Sequence, residues 1–261
     1  MAIEQAKVLT ITSVKGGVGK STFTLNLAGT LKKLNRKVLI IDLDLYSGSI
    51  AASLNIDNEK DLFLLMDDMN NNRFSDLNDY IVNYKENIDV IPSPKDPRQA
   101  NKINSKYLQI ILTKAKLIYD VILIDTNHIL NEINLVTLDH SDEILYIITN
   151  DPIDLKNMRT MISIYNDMNK KNYKVILNEA INKQRKYFSN YDIKNVIKHN
   201  VDYTIPSSFY IKNINGYILD GKILTLDNKF CKTHKKAEEH FNKIAMSLVK
   251  DKKTNARNFK I

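Results

Sequence analysis

KGGVGKST, at residues 15–22, joins an apolar run at residues 8–14 to a helical pattern at residues 22–34. A strand, a glycine-rich turn and a helix in this order are what a phosphate-binding loop requires. The chain has seven glycines in 261 residues, and three of them fall in this turn, at positions 16, 17 and 19. Backbone N–H groups close around phosphate oxygens most easily where no Cβ restricts the dihedral angles. The segment therefore predicts a phosphate site at a helix N-terminus.

The residue types within the loop predict separate roles. Lys20 is placed to reach the β- and γ-phosphates, and Ser21 is placed to ligate Mg²⁺ through its hydroxyl. The general pattern G-x-x-x-x-G-K-[ST] is met only in part, because Val14 stands where its first glycine would be. The loop has the variant form K-G-G-x-G-K-[ST], with an additional lysine at Lys15. The predicted nucleotide-binding residues of the loop are Gly16, Gly17, Val18, Gly19, Lys20, Ser21 and Thr22.

Short apolar runs alternate with longer helical patterns along the chain. Strand-helix alternation implies right-handed crossovers and a parallel sheet, whose buried strands read as continuous apolar runs. We therefore predict a doubly wound α/β fold, with a mostly parallel seven-stranded sheet flanked by helices. The predicted strands are 8–14, 38–42, 88–91, 121–125, 144–149, 175–178 and 201–205. The predicted helices are 22–34, 61–68, 101–117, 133–140, 155–169, 191–198 and 235–249.

Acidic residues end two of the predicted strands. VLIIDLD, at residues 38–44, carries Asp42 and Asp44, which the strand period places on the same side. Two such anions repel each other unless a cation or a polar partner lies near. Asp125 ends another apolar strand, as a Walker B aspartate does, and ligands bind beyond the carboxyl ends of parallel strands. Beside a phosphate loop these residues indicate a Mg²⁺ and water site, whereas alone they would equally suit capping or loop aspartates.

The loop and the acidic strand ends together resemble the ParA/MinD family of deviant Walker A ATPases. The resemblance covers nearly the whole chain, from residue 8 to about residue 249. The resemblance implies a P-loop NTPase fold of the SIMIBI type, with one ATPase domain at residues 1–250 and a basic, flexible tail at residues 251–261. It also implies ATP and Mg²⁺ as cofactors and a homodimer that holds the nucleotides between its subunits. Hydrolysis would be weak and stimulated by a protein partner.

The same resemblance assigns roles to individual residues. Lys15 would cross the dimer interface to the nucleotide of the other subunit, and Asp44 would orient or activate the attacking water. Adenine would be recognised by Asn178, at the end of a later strand, and by the backbone near Pro206. The catalytic residues so predicted are Lys15, Lys20 and Asp44, and the metal site is predicted to comprise Ser21, Asp42 and Asp125.

Further patterns are similar to the CpaE/TadZ branch, which helps to localise and assemble type IV (tight adherence) pili. DLDLYSGSIA, at residues 42–51, matches the D-L-D-L-x-x-G-x-x-A of that branch, and VIPSP at residues 90–94 fits it as well. One departure is Asn127-His128, which stand where relatives carry proline, or proline and glycine, after the Walker B aspartate. DNA-partitioning ParA proteins and flagellar-number regulators are the alternatives. A ligase that uses the same loop would need further catalytic residues, and the sequence indicates none.

The net charge of +8 is concentrated at the end of the chain. Residues 229–261 contain ten Lys or Arg against three Asp or Glu, whereas the other residues contain 28 against 27. We expect a packed helix up to residue 249 and a tail that makes weak contact with nucleic acid or an anionic membrane. The start lacks a secretory signal, so we expect a cytoplasmic protein, recruited to the membrane inner face or the nucleoid. Cys231 is the only cysteine, which excludes the bridging cysteines of the nitrogenase iron protein.

Overall fold

The computed structural model describes residues 6–180, 187–209 and 214–249. Within these ranges the strands are β1 (Lys7–Thr12), β2 (Val38–Leu43), β3 (Val82–Lys85), β4 (Ile88–Ile91), β5 (Val121–Thr126), β6 (Glu143–Ile148), β7 (Tyr173–Asn178) and β8 (Tyr203–Ile205). They form one sheet in the order β3-β4-β2-β5-β1-β6-β7-β8. Strands β3 and β4 pair antiparallel, and the other neighbouring pairs are parallel.

Helices connect the parallel strands and lie on both faces of the sheet. In the described ranges they are α1 (Lys20–Lys33), α2 (Ile50–Ser53), α3 (Leu62–Asn70), α4 (Leu108–Ala115), α5 (Glu132–Asp139), α6 (Pro152–Asp167), α7 (Asn190–Ile197), α8 (Ile214–Leu219), α9 (Asn228–Thr233) and α10 (Lys235–Val249). The predicted doubly wound, mostly parallel sheet flanked by helices is confirmed.

The sheet has one strand more than the seven that the sequence predicts. The additional strand, β3, alternates between half-buried and exposed residues and lies at the edge of the sheet. Its hairpin with β4 turns at Asn87, which has a φ of 64°. The prediction missed it because a partly exposed edge strand lacks the continuous apolar run of the buried parallel strands.

Two other predicted boundaries are wrong, for local reasons. Strand β1 ends at Thr12 rather than at residue 14, because Ser13 already folds back and donates from Oγ to the Lys15 carbonyl at 2.6 Å. The helix predicted at residues 101–117 is a shorter α4, preceded by 3₁₀ turns at Pro97–Lys102 and Ser105–Tyr107. Side-chain caps compete with helix formation in this polar stretch.

Apolar side chains cover both faces of the sheet. Along β2, Val38 and Ile40 enter the cluster that contains side chains of α1 and α10, whereas Leu39 and Ile41 enter the cluster with α3 and α4. Successive strand residues point to opposite faces, so one strand supplies both clusters. Because helices shield both faces, polar side chains gather beyond the carboxyl ends of the strands, where an open parallel sheet binds its ligands.

The basic end of the chain packs as expected up to residue 249. Helix α10 buries one apolar stripe, and the ring centroids of Phe23 and Phe241 lie 5.6 Å apart between α1 and α10. The predicted tail at residues 251–261 lies outside the described residues. No helix in the described part of the chain is long and apolar enough to span a membrane.

Candidate nucleotide-binding site

The phosphate-binding loop occupies the turn between β1 and α1. Gly17 has a φ of 74° and Gly19 a φ of 92°, in the left-handed region that glycine tolerates without steric cost. Gly19 is the N-cap of α1, and its carbonyl accepts a hydrogen bond from the Phe23 N–H at 2.9 Å. The loop backbone therefore turns directly into a helix N-terminus, an arrangement that favours anions.

Lys20 lies at the mouth of this loop. Its side chain is mostly buried, and Nζ donates to Ser13 Oγ at 3.2 Å. Burial lowers the pKa of Lys20, and the negative charges of Asp125 and Asp44 oppose that shift. An ammonium group held in this way is positioned to bind phosphate oxygens that enter the loop.

Asp42 and Asp125 lie side by side at the ends of β2 and β5. The strand register pairs them directly, and both are fully buried. Ser21 Oγ donates to Asp125 Oδ2 at 2.5 Å, and Thr24 Oγ1 donates to Oδ1 at 2.9 Å. Burial raises the pKa of Asp125 to about 6. Burial, and then the negative charge of Asp125, raise the pKa of Asp42 well above its usual range. A cation at this edge would relieve both effects.

Asp42 also holds the turn that carries Asp44. The Asp44 N–H donates to Asp42 Oδ1 at 3.0 Å, and the Ile50 N–H donates to Oδ2 at 3.2 Å. The predicted placement of Asp44 on the same strand face as Asp42 is wrong, because β2 ends at Leu43 and the chain turns there. Asp44 is half-buried, and its charge still acts on Lys20. The turn after β2, rather than the strand itself, places the charge of Asp44 near Lys20 of the loop.

The donor set at this edge fits Mg²⁺, which prefers hard oxygen ligands and retains several waters. Ser21 and Asp125 would hold the ion together with phosphate oxygens, and Asp42 adds negative charge beside them. Among residues 6–180, 187–209 and 214–249 no three His, Cys, Asp or Glu side chains are grouped to hold a metal unaided. The chemistry thus suits an ion that arrives with a nucleotide.

Lys15 lies on the outer side of the loop. Its Nζ forms an ion pair with Asp151 Oδ1 at 3.1 Å, and 42% of the Lys15 side chain is exposed. Asp151 is the N-cap of α6, and its side chain accepts from the backbone N–H groups of Ile153 and Asp154. Those bonds, followed by the ion pair with Lys15, lower the pKa of Asp151. Lys15 is accessible to a second subunit, and its predicted action across an interface stays a prediction.

Asn178 and Pro206 lie at neighbouring strand ends beside the loop. Asn178 is buried at the end of β7, where Nδ2 donates to the Val18 carbonyl at 2.9 Å and Oδ1 accepts from the Ala180 N–H at 3.1 Å. Pro206 follows β8 and is buried. Asn178 thus supports the phosphate loop directly. That these two residues contact adenine stays a prediction.

Asparagine amides fix the segment after Asp125. Asn127 Oδ1 accepts from the Ile129 N–H at 2.9 Å and from Asn134 Nδ2 at 2.8 Å. Asn131 caps α5 by accepting from the Asn134 N–H at 3.1 Å. The sequence signal for this network is the spacing of three asparagines within eight residues, 127–134, which the sequence analysis did not use. Thr24, Ser13 and Asp151 are further site residues that it missed.

Comparison with known proteins agrees with this geometry. A family model described as an AAA domain (AAA_31) matches residues 6–183. The chain belongs to this family. The virulence plasmid ParA family protein pGP5-D of Chlamydia psittaci is 29% identical over 161 residues, which are 59% of this chain and 61% of that protein. Across the first curated relatives, the matches span between half and two thirds of each relative's length.

Solved structures share the fold over most of both chains. A ParA family ATPase from Chlorobium tepidum has a TM-score of 0.77 at 20% identity, covering 94% of this chain and 99% of that one. The septum site-determining protein MinD of Pyrococcus horikoshii, complexed with Mg-ADP, has a TM-score of 0.75 at 24% identity, covering 94% and 96%. The prediction of the ParA/MinD family is confirmed. The Mg-ADP of the Pyrococcus protein agrees with the prediction of ATP and Mg²⁺ as cofactors.

Proposed function

We propose that this chain is a nucleotide-switched ATPase that binds MgATP, dimerises across the nucleotide and hydrolyses it slowly to separate. The observation that carries the proposal is the assembly of Lys20, Ser21 and Asp125 at one loop, with Lys15 accessible beside it. The first three residues supply phosphate and metal ligands within one chain. Lys15 supplies a positive charge that a second copy can use.

Each residue has a defined part in this cycle. The loop N–H groups and Lys20 hold the phosphates, and Ser21 and Asp125 hold Mg²⁺, which neutralises charge on the phosphate oxygens. Asp44 orients the attacking water, and Asp42 keeps the turn of Asp44 in place. Lys15 of the partner neutralises charge that develops during transfer, as an arginine finger does. Catalysis then depends on positioning and charge stabilisation.

Two single substitutions test the proposal. Lys15→Ala should bind MgATP but lose dimer-dependent turnover, whereas Asp44→Ala should accumulate an ATP-bound dimer. Solution mass by light scattering and phosphate release measure both effects. Lys171→Ala is the matched control, because this exposed lysine precedes β7 and so lies by the amino ends of the parallel strands, away from the phosphate loop. Normal turnover by Lys15→Ala would contradict the role across the interface.

The cellular task we favour is the positioning or assembly of a type IV pilus or a secretion apparatus. It is supported by the CpaE/TadZ-like segment at residues 42–51, whose turn the structure shows beside Asp42. The alternative is DNA partitioning, which the similarity to ParA proteins and the basic end of the chain support. The nucleotide state would change the affinity for a protein partner in either case.

DNA binding separates the two tasks. Retention on DNA that requires ATP and falls steeply with salt would favour partitioning, because lysines that neutralise phosphates release counterions. The pilus assignment predicts no ATP-dependent retention on DNA. It predicts instead that ATP increases capture of a pilus or secretion component encoded near this gene.

A further inference from the structure

We propose that His128 contacts the terminal phosphate of the bound nucleotide and so makes the site prefer ATP to ADP. This inference rests on the proposed function, because it requires a nucleotide in the loop. It assigns a specificity role to a residue in the segment that follows Asp125.

The first observation is the position of the His128 ring against the phosphate loop. A Cβ added to Gly16 would lie 3.4 Å from His128 Cε1 and 3.5 Å from His128 Nδ1. The Nδ1 edge of the imidazole therefore faces the loop backbone at Gly16, although 112 residues separate the two in sequence. The ring lies within hydrogen-bonding reach of an anion that rests on this part of the loop.

The second observation identifies this part of the loop as the terminal-phosphate end. Lys20 reaches the β- and γ-phosphates in such loops, and here its Nζ lies 3.2 Å from Ser13 Oγ, at the start of the loop. Ser13, Val14 and His128 line one cavity of about 250 Å³, together with Leu130 and Tyr146. Ser13, which accepts from the Lys20 ammonium group, and the His128 imidazole thus border the same space.

The third observation concerns the turn that carries His128, whose backbone is held by a hydrogen bond. Asn127 accepts the Ile129 N–H and is itself buried, so the turn presents His128 between two anchored residues. His128 is exposed, and no residue in the described part of the chain forms a hydrogen bond with its ring nitrogens. A neutral imidazole keeps one N–H donor, so no change in protonation is needed.

The position of the His128 ring favours the triphosphate in particular. The donor would meet the third phosphate, which ADP lacks, whereas the N–H groups near Gly19 and the helix N-terminus serve both nucleotides. Holding the backbone that carries the donor in place beforehand reduces the ordering that binding requires. His128 is therefore a specificity residue for the state of the nucleotide, in addition to the lysines of the loop.

The test is calorimetry with Mg²⁺ and either a non-hydrolysable ATP analogue or ADP. All variants carry Lys15→Ala, so that dimerisation does not add to the apparent affinity for the analogue. His128→Ala should weaken the analogue about tenfold and ADP less than about twofold, since a hydrogen bond to a charged group is worth at least this factor. His128→Gln, which keeps an N–H donor, should recover most of the preference. Ile129→Ala, the neighbouring exposed side chain, should change neither affinity.

Three results would overturn the inference: equal weakening of both nucleotides, no weakening of the analogue, or His128→Gln that binds as weakly as His128→Ala. They are distinct from failure of the proposed function. If the proposed function fails, the Lys15→Ala protein that retains His128 would bind neither nucleotide, although circular dichroism shows it to be folded.

Discussion

Substitution of Asp125 by asparagine should stabilise the nucleotide-free protein while it impairs Mg²⁺ binding. Asp125 is fully buried, and burial is the largest cause of its raised pKa. The folded chain therefore retains the Asp125 proton at a pH where the unfolded chain has lost it. A carboxyl whose pKa is raised by folding lowers the stability of the protein as pH rises. The loss begins near the pKa of the unfolded state and is complete above the pKa of the folded state.

The magnitude follows from the two pKa values. A rise from 3.8 to about 6 corresponds to about 3 kcal/mol of unfolding free energy above pH 6, at about 1.4 kcal/mol for each pKa unit. Asparagine has no charge to bury, but it can accept from only one of the two hydroxyls that now donate, Ser21 and Thr24. A lost hydrogen bond costs about 1 kcal/mol. We expect Asp125→Asn to be about 2 kcal/mol more stable above pH 6, and this advantage to vanish near pH 4.

Urea denaturation in a chelator, repeated across this pH range, measures the effect. Asp167→Asn is the control, because Asp167 is exposed on α6 and its change should stay within about 0.5 kcal/mol at each pH. Equal stability of Asp125→Asn and the unsubstituted protein above pH 6, or a difference that does not vary with pH, would refute the argument. With Mg²⁺ and ATP present, the order of stability should reverse, because only the aspartate gains from the ligand.

Other substitutions should distinguish residues that affect nucleotide binding from residues that affect only folding stability. Gly48→Ala should lower the unfolding free energy by about 1–3 kcal/mol in urea denaturation, because its Cβ would lie 1.5 Å from Ser93 Oγ; unchanged stability would contradict the packing. Asn178→Ala should weaken ATP about tenfold in calorimetry, as the loop loses a supporting hydrogen bond; unchanged affinity would remove that role. Tyr119→Phe should cost about 1–2 kcal/mol by removing the hydroxyl 2.8 Å from Asp89, and ATP affinity should not change.

The sheet and the phosphate loop could be predicted because their signals are local. A continuous apolar run predicts a buried parallel strand, and glycine in the turn predicts the left-handed φ angles of Gly17 and Gly19. The closeness of Asp42 and Asp125 also followed, since both end strands that meet at one edge, and the register pairs them. The predicted position of Asp44 relied on the strand period continuing, and the strand ends one residue earlier.

Contacts that do not follow from strand ends meeting at the same end of the sheet could not be predicted from the sequence. Although β5 and β7 end beside the loop, this alone does not determine that the His128 ring lies against Gly16 or that Asn178 supports Val18. No periodicity reports such pairs. The edge strand β3 had a weak signal, its alternating pattern, but the two-residue turn at Asn87 becomes evident only with its positive φ.

The central claim is that main-chain amides and Lys20 hold a triphosphate whose metal is bound by Ser21 and Asp125. Calorimetric titration of the folded protein with ATP, with and without Mg²⁺, tests it most directly. We expect one nucleotide per chain, tighter binding with Mg²⁺, and loss of binding in Lys20→Ala. Absence of heat with MgATP, from protein that unfolds cooperatively in urea, would contradict the claim.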